Sequence, residues 1–193
     1  FESMYENLIS YCSRFIPLSA TDKEAIEFNF KPVTIKRNDF LLKEGNVCDF
    51  IAFVNSGVIR HYHLKDGKEI TCDISLKNSF ITDYKSFTQG VSSNYNFQIL
   101  KDAELFLIKK KELMVLYNNH QNIESLGRIM AEQVALRTIE IAMSLSSDKP
   151  QERVEKFIIQ RPELFQEVPQ RYLANLLGIS PESLSRIRAR KKS

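Results

Sequence analysis

Cysteine is scarce in this chain, and long apolar runs are missing. The three cysteines, Cys12, Cys48 and Cys72, are odd in number and widely spaced. That excludes a disulfide framework and a CxxC metal knuckle, and each reads as a small buried hydrophobe. No stretch approaches the ~18 consecutive apolar residues that crossing a bilayer requires. Six Gly and six Pro rule out a collagen-like or low-complexity chain. The amino end, Phe1–Glu2–Ser3–Met4, lacks the basic start and apolar run of a secretory signal, with Met4 read as the natural start, so a cytoplasmic location is expected. The strings G-x-S-x-G, G-x-x-x-x-G-K-[ST] and G-x-G-x-x-G are all absent, so no nucleophile elbow or phosphate-cradling loop is present and no enzyme is expected.

What remains is ordinary globular composition, 43% hydrophobic and 26% charged over 193 residues, enough for one large domain or two small ones. The net charge of +3 is unevenly spread. Residues 147–193 carry ten Lys/Arg against six Asp/Glu, while residues 1–146 are almost neutral. Within Pro181–Ser193, Arg186, Arg188, Arg190, Lys191 and Lys192 face only Glu182. A basic carboxyl end on a neutral body fits an anionic partner, or simply a solvated terminus.

Hydrophobic periodicity changes twice. Met4, Leu8, Tyr11 and Phe15 recur at helical spacing, Pro17 stops the run, and Ser19 can cap a second helix. From Lys31 the period shortens to two. Val33–Ile35, Phe40–Leu42, Phe50–Val54, Val58–Leu64, Ile70–Ile74, Tyr95–Leu100 and Glu104–Lys109 read as short strands. Turns are expected at Lys43–Asn46, at Asn55–Ser56–Gly57 and at Asp66–Gly67, the last a two-residue hairpin signal. Many short strands imply a sandwich or small barrel. From Lys110 to Leu145 there is no Pro and one Gly, and one long helix is expected. Its stripe Ile123, Leu126, Met130, Val134 and Ile141 suits either a coiled-coil seam with a second subunit or packing along its own barrel. Ser146–Pro150 punctuates the chain, with Pro150 at the first turn of the next helix. The expected division is therefore 1–109, 110–146 and 147–193.

The segment VPQRYLANLLGISPESLSRIRARK, Val168–Lys191, carries the strongest functional signal. A DNA-binding helix-turn-helix needs a small residue where its helices cross, a turn residue that tolerates positive φ, and apolar residues inside the second helix. Ala174, Gly178, and Leu184 with Ile187 meet these needs, with Leu173, Leu177 and Ile179 completing a small core. Ser180 is a suitable N-cap and Pro181 follows it. Glu182, Ser183, Ser185, Arg186 and Arg188 are expected on the outer face, where Arg pairs with guanine, Glu accepts from cytosine, and Ser contacts phosphate or base. The other reading is an αα-hairpin with a merely soluble outer face.

In the order of its parts, the chain resembles the Crp/Fnr family of bacterial transcription regulators over nearly its whole length. Glu182–Ser183–Leu184–Ser185–Arg186 is similar to the family's recognition-helix string E-[ST]-[VIL]-[SG]-R, and V-P-Q-R-Y and L-S-R-I-R resemble regulators of Bacteroidetes. The resemblance implies an α+β chain: short helices and a cyclic-nucleotide-binding β-roll (double-stranded β-helix), then a long dimerisation helix, then a helix-turn-helix domain. It implies a homodimer on double-stranded DNA, with RNA polymerase a further candidate partner. The implied DNA-contacting set is Gln170, Arg171, Ser180, Glu182, Ser183, Ser185, Arg186, Arg188, Lys191 and Lys192. Because the sequence given stops shortly after this helix, phosphate clamping is expected from helix amino ends and the basic tail.

The sensor expectation departs from the family. Cyclic-nucleotide members carry a Gly-Glu pair for the ribose and a following Arg for the phosphate. Here the corresponding residues are Lys77–Tyr84 and Ser92–Tyr95, with no Gly-Glu pair and no Arg between Arg60 and Arg128. Cyclic AMP is therefore not expected, for want of a guanidinium fork, and no cofactor is assigned. The candidate pocket is Phe80, Thr82, Asp83, Tyr84, Ser92, Ser93 and Asn94. Three scattered Cys do not repeat the four-Cys iron–sulfur pattern. Two alternatives stay open: a cyclic-nucleotide-responsive regulator with an atypical pocket, and a metal-binding, cupin-like enzyme using His61 and His63 with Glu69.

Overall fold

A computed structural model describes residues 4–190. Two helices, α1 (Glu6–Ser13) and α2 (Ala20–Asn29), come first. Ser19 caps α2 as expected: its Oγ accepts from the Asp22 N–H at 3.1 Å, and the Asp22 carboxylate accepts from the Ser19 N–H at 2.9 Å. The strands follow: β1 (Lys31–Ile35), β2 (Phe40–Leu42), β3 (Phe50–Lys65), β4 (Lys68–Ser75) and β5 (Phe80–Ile81). After helix α3 (Tyr84–Gln89) comes β6 (Asn96–Lys109). They form one antiparallel sheet in the order β1-β6-β3-β4, with β2 on β6 and β5 on β3, so β4 lies at an edge.

The long central strands correct one expectation. Asn55–Ser56–Gly57 is not a turn between two strands; β3 runs through it, pairing with β6 from Phe50↔Lys109 to Tyr62↔Asn96 and slipping register around Ser56 and Val58. Gly57 sits there at φ +107°, and a Cβ on it would fall 2.6 Å from the Ala103 Cα. The glycine thus marks a bulge where two backbones touch, not a chain reversal. Asp66–Gly67 is the expected hairpin turn, with φ of 53° and 73° between paired Lys65 and Lys68.

The single helix expected from Lys110 to Leu145 is two: α4 (Lys110–Asn119) and α5 (Gln121–Ser147), broken at His120, whose backbone is extended. A side-chain cluster holds the elbow. Buried Asp22 accepts from Asn122 at 2.8 Å and meets the His120 ring at 3.0 Å. Burial pushes the Asp22 carboxyl up, but bonds from Asn122, Ser19 and His120 outweigh it and hold it at about 2.

This elbow also corrects the seam. Ile123 and Leu126 are 4% and 6% exposed, sunk in the same core as Leu8, Ile26, Phe53 and Leu116, with Met130 packed on its margin. They hold α5 to its own chain. From Ala131 to Met143 every residue of α5 is exposed. Val134 and Ile141 lie there, together with Leu136, Ile139 and Met143, which the stripe omitted.

Four helices end the described chain: α6 (Pro150–Gln160), α7 (Leu164–Glu167), α8 (Gln170–Leu177) and α9 (Pro181–Arg190). Pro150 occupies the first turn of α6 as expected. Their apolar cluster of Val154, Leu164, Val168, Leu173, Ala174 and Leu184 also takes in Val58 and Ile74 from the sheet. No helix among the described residues is long and apolar enough to cross a membrane.

Candidate nucleic-acid interface

Local chemistry builds the α8–α9 pair. α8 ends at Gly178, whose φ of +69° suits glycine, and the Ile179 N–H returns to the Ala174 carbonyl at 3.0 Å. Ser180 then caps α9, its Oγ accepting from the Ser183 N–H at 3.2 Å. Leu173, Ala174 and Leu184 are buried between the helices, and Leu177, Ile179 and Ile187 pack beside them. The Gln170 amide spans the pair by donating to the Pro181 carbonyl at 2.7 Å.

The outer face of α9 is narrower than the sequence suggests. At about 100° per residue, Glu182, Ser185 and Arg186 stand opposite Leu184 and Ile187, and all three are exposed. Arg186 Nε reaches back to the Glu182 carbonyl at 3.4 Å. Glu182 lies in the first turn, where its own backbone N–H and Ser180 lower its pKa. Ser183 and Arg188 do not belong to this face. Ser183 is half-buried and takes a bond from the Ser180 hydroxyl at 3.1 Å. Arg188 lies over the Phe165 ring at 5.2 Å, because its position on the helix turns toward α7. Arg171, exposed at the start of α8, stacks on Tyr172 at 4.7 Å. Lys191 and Lys192 lie outside the described residues.

The expected sensor pocket is largely filled by its own side chains. Phe80 turns into an aromatic cluster with Tyr11, Phe30 and Phe53, the Phe53 ring 5.1 Å away, so it lines core and not cavity. Thr82 donates to the Phe50 carbonyl at 2.8 Å. Asp83 is buried, caps α3 through the Ser86 N–H and accepts from the Ser93 hydroxyl at 2.6 Å. Asp83 and Ser93 therefore satisfy one another. Tyr84 and Asn94 remain exposed, and Ser92 bridges to Val47.

The histidine pair is likewise engaged. His61 Nε2 bonds Ser75 Oγ at 3.0 Å and its ring packs on Phe97, while His63 Nδ1 lies 3.1 Å from the Cys72 thiol. Glu69 pairs with Arg60 at 2.6 Å. Among the described residues no group of three or more His, Cys, Asp or Glu could hold a metal ion. Cys12 and Cys48 are buried as expected; Cys72 is exposed on the edge strand.

Sequence reasoning missed the residues joining α6–α8 to the sheet. Arg60 is almost fully buried, its guanidinium between the Tyr62 and Tyr172 rings, 4.4 Å from each. Asn175 Oδ1 accepts from the Thr71 N–H at 2.6 Å, and its amide donates to the Glu69 carbonyl at 3.2 Å. Arg161 donates to Asp73 at 3.1 Å and to the Ile74 carbonyl at 2.8 Å, and Arg137 of α5 meets the same Asp73 at 2.8 Å. The only local sign in the sequence is Asn175, a weak helix former inside a short helix.

This arrangement of roll, elbow, long helix and paired terminal helices has counterparts. Residues 32–120 match the model of the cyclic nucleotide-binding domain. FixK2 from Bradyrhizobium japonicum shares the fold with a TM-score of 0.67 at 19% identity, over 83% of each chain. The catabolite activator protein of Thermus thermophilus matches 93% of this chain and 85% of its own, with a TM-score of 0.57 and 16% identity. A mutant of CooA from Carboxydothermus hydrogenoformans matches 90% of this chain and 81% of its own, with a TM-score of 0.70 and 14% identity. These are transcription regulators of the Crp/Fnr family, and the chain has their fold. No curated protein matches the sequence.

Proposed function

We propose that the chain is a homodimeric, sequence-specific DNA-binding transcription regulator of the Crp/Fnr type, and not an enzyme. The observation that carries this reading is the exposed row Glu182, Ser185 and Arg186 on α9, opposite a buried row that packs on α8. A helix so placed enters a major groove with Glu and Arg one turn apart. Gln170, Arg171, Ser180 and Ser183 flank it at helix amino ends, where N–H groups suit phosphate. Arg188 supports the fold of the head, and Lys191 and Lys192 are assigned to phosphate on sequence grounds. The division into sensor, helix and head at 1–109, 110–146 and 147–193 belongs to the same reading, as does RNA polymerase as a further partner.

Dimerisation is carried by the bare half of α5. Leu136, Ile139 and Met143 are 61%, 55% and 63% exposed. They lie on the side of the helix away from Arg137, which faces the chain's own β4. A second copy of the same helix would cover them, whereas Val134 and Ile141, exposed on the Arg137 side of α5, lie off this seam. The roll is a scaffold, or a sensor for a ligand other than cyclic AMP, because Asp83 and Ser93 occupy each other and the sequence offers no arginine between Arg60 and Arg128.

Selection of bound sequences from random duplexes tests the assignment. An inverted repeat is expected, its half-sites centred about one helical turn apart. Arg186→Ala should cost about 1–3 kcal/mol and relax preference at one base pair per half-site. Equal weakening on every single-base variant of the selected site refutes base reading by Arg186.

A further inference from the structure

The terminal helices are docked on the sheet, not tethered to it. Three kinds of contact converge on the edge strand β4 and its neighbour β3. Val58 and Ile74 of the sheet are buried in the apolar cluster of α6–α9. Tyr172 closes a stack over the buried Arg60 guanidinium, which is also held by Thr71 at 2.8 Å and Glu69 at 2.6 Å. Asn175 bonds the Thr71 N–H and the Glu69 carbonyl, taking the groups that an added strand would take on the open edge of β4. Asp73, further along the strand, receives Arg161 from beyond α6 and Arg137 from α5. One carboxylate thus ties the long helix, the sheet and the head together. The Gln170 and Arg171 end of α8 and the outer face of α9 are left clear by this docking.

We propose that the β4 edge sets the attitude of the DNA-reading head, with Asn175 and Asp73 as its positioning residues. The inference rests on the DNA-binding reading above and adds to it. A docked head meets the groove with its orientation already fixed, and two docked heads on one dimer hold a fixed separation. A head cut loose still carries its reading face but must be ordered on binding. The latch therefore shows itself in spacing preference, whereas a residue that touches DNA shows itself in base preference.

The test uses the full chain and two variants on opposite sides of the contact, Asn175→Ala on α8 and Asp73→Asn on β4, each first checked for a cooperative melt. Amide hydrogen exchange at Thr71 reads the latch without DNA. Both variants are expected to lose protection there and to admit protease at the Asp148–Lys149 connection. On a series of the selected site with half-site spacing changed by one to three base pairs, the parent is expected to prefer one spacing sharply. The variants are expected to bind that spacing roughly three- to tenfold more weakly and to discriminate less among spacings, with base preference unchanged. Unchanged protection at Thr71 in both variants overturns the docking. Loss of protection with affinity and spacing preference intact, or with tighter binding, overturns the positioning role. A parent that selects no duplex strikes the DNA reading itself, and the exchange result still decides the docking.

Discussion

Ile139→Glu places a carboxylate in the middle of the bare half of α5. The size of its effect follows from how much of that surface is open. Leu136, Ile139 and Met143 are each somewhat more than half exposed. Fully burying a large apolar side chain is worth about 1.5–3 kcal/mol, so covering what is open here yields about 1–2 kcal/mol for each. A two-fold seam counts each of the three twice, which brings the total to about 6–12 kcal/mol. That offsets the lower estimates of the cost of association, about 4–15 kcal/mol, and with the remaining contacts along the bare helix a dimer at micromolar concentration is expected. In the variant two carboxylates face each other near the axis, unpaired and cut off from water, a penalty of several kcal/mol beyond the lost contacts. The dissociation constant should rise by about a thousandfold or more. Sedimentation at micromolar concentration should show parent dimers and variant monomers of unchanged helix content. Ile123→Glu is the contrast: Ile123 lies in the chain's own core, so this change should unfold the amino-terminal half instead of splitting a folded dimer. A monomeric parent, or an Ile139→Glu variant that dimerises like the parent, refutes the reasoning.

Two further outcomes are expected. Millimolar cyclic AMP should leave the melting temperature unchanged, because Asp83 and Ser93 bond each other; a ligand at 100 times its Kd would add about 2.7 kcal/mol, and an upward shift of that order in a thermal melt refutes the rejection. Acid should loosen the sheet–head junction: burial pushes His61 down from 6.5 to about 4, Asp73 opposes, and Arg137 and Arg161 add to the depression. The unfolded chain therefore binds the extra proton first, so this stability is whole above pH 6.5 and is lost as pH falls toward 4, about 1.4 kcal/mol for each pH unit separating the two pKa values. Denaturant melts of the parent and His61→Gln between pH 7 and 4 check the sign, and a parent that becomes more stable on acidification refutes it.

What was legible in the sequence was whatever local chemistry decides. The Ser19 cap, the Asp66–Gly67 turn, and the Gly178 and Ser180 punctuation each act within four residues, and all are found where the sequence placed them. The errors lie where a distant neighbour decides. Gly57 looks like a turn residue until Ala103, on another strand, is seen to need the space of its missing side chain. Ile123 and Leu126 share a helical stripe with Val134, yet the extended backbone at His120 folds α5 so that they meet Leu8 and Ile26 while Val134 meets water. Periodicity states that a face is apolar; it does not state what covers the face. Arg188 and Phe80 follow the same rule, since residues that read as outward or pocket-lining are claimed by Phe165 and Phe53.

The sheet–head junction was the least legible part, and the reason bears on function. Its contacts pair side chains with the backbone of an edge strand, and backbone groups leave no mark in a sequence. Asn175 recognises the Thr71 N–H and the Glu69 carbonyl whatever residues stand there, and Arg161 recognises the Ile74 carbonyl in the same way. Such contacts fix orientation through the strand's position. A shift of β4 along its own axis would therefore carry the head with it, while the outer-face residues of α9 stayed unchanged. On the DNA-binding reading proposed above, a displacement of the edge strand has a path to both reading and dimerising elements that bypasses α9, because the one Asp73 carboxylate holds α5 through Arg137 and the head through Arg161.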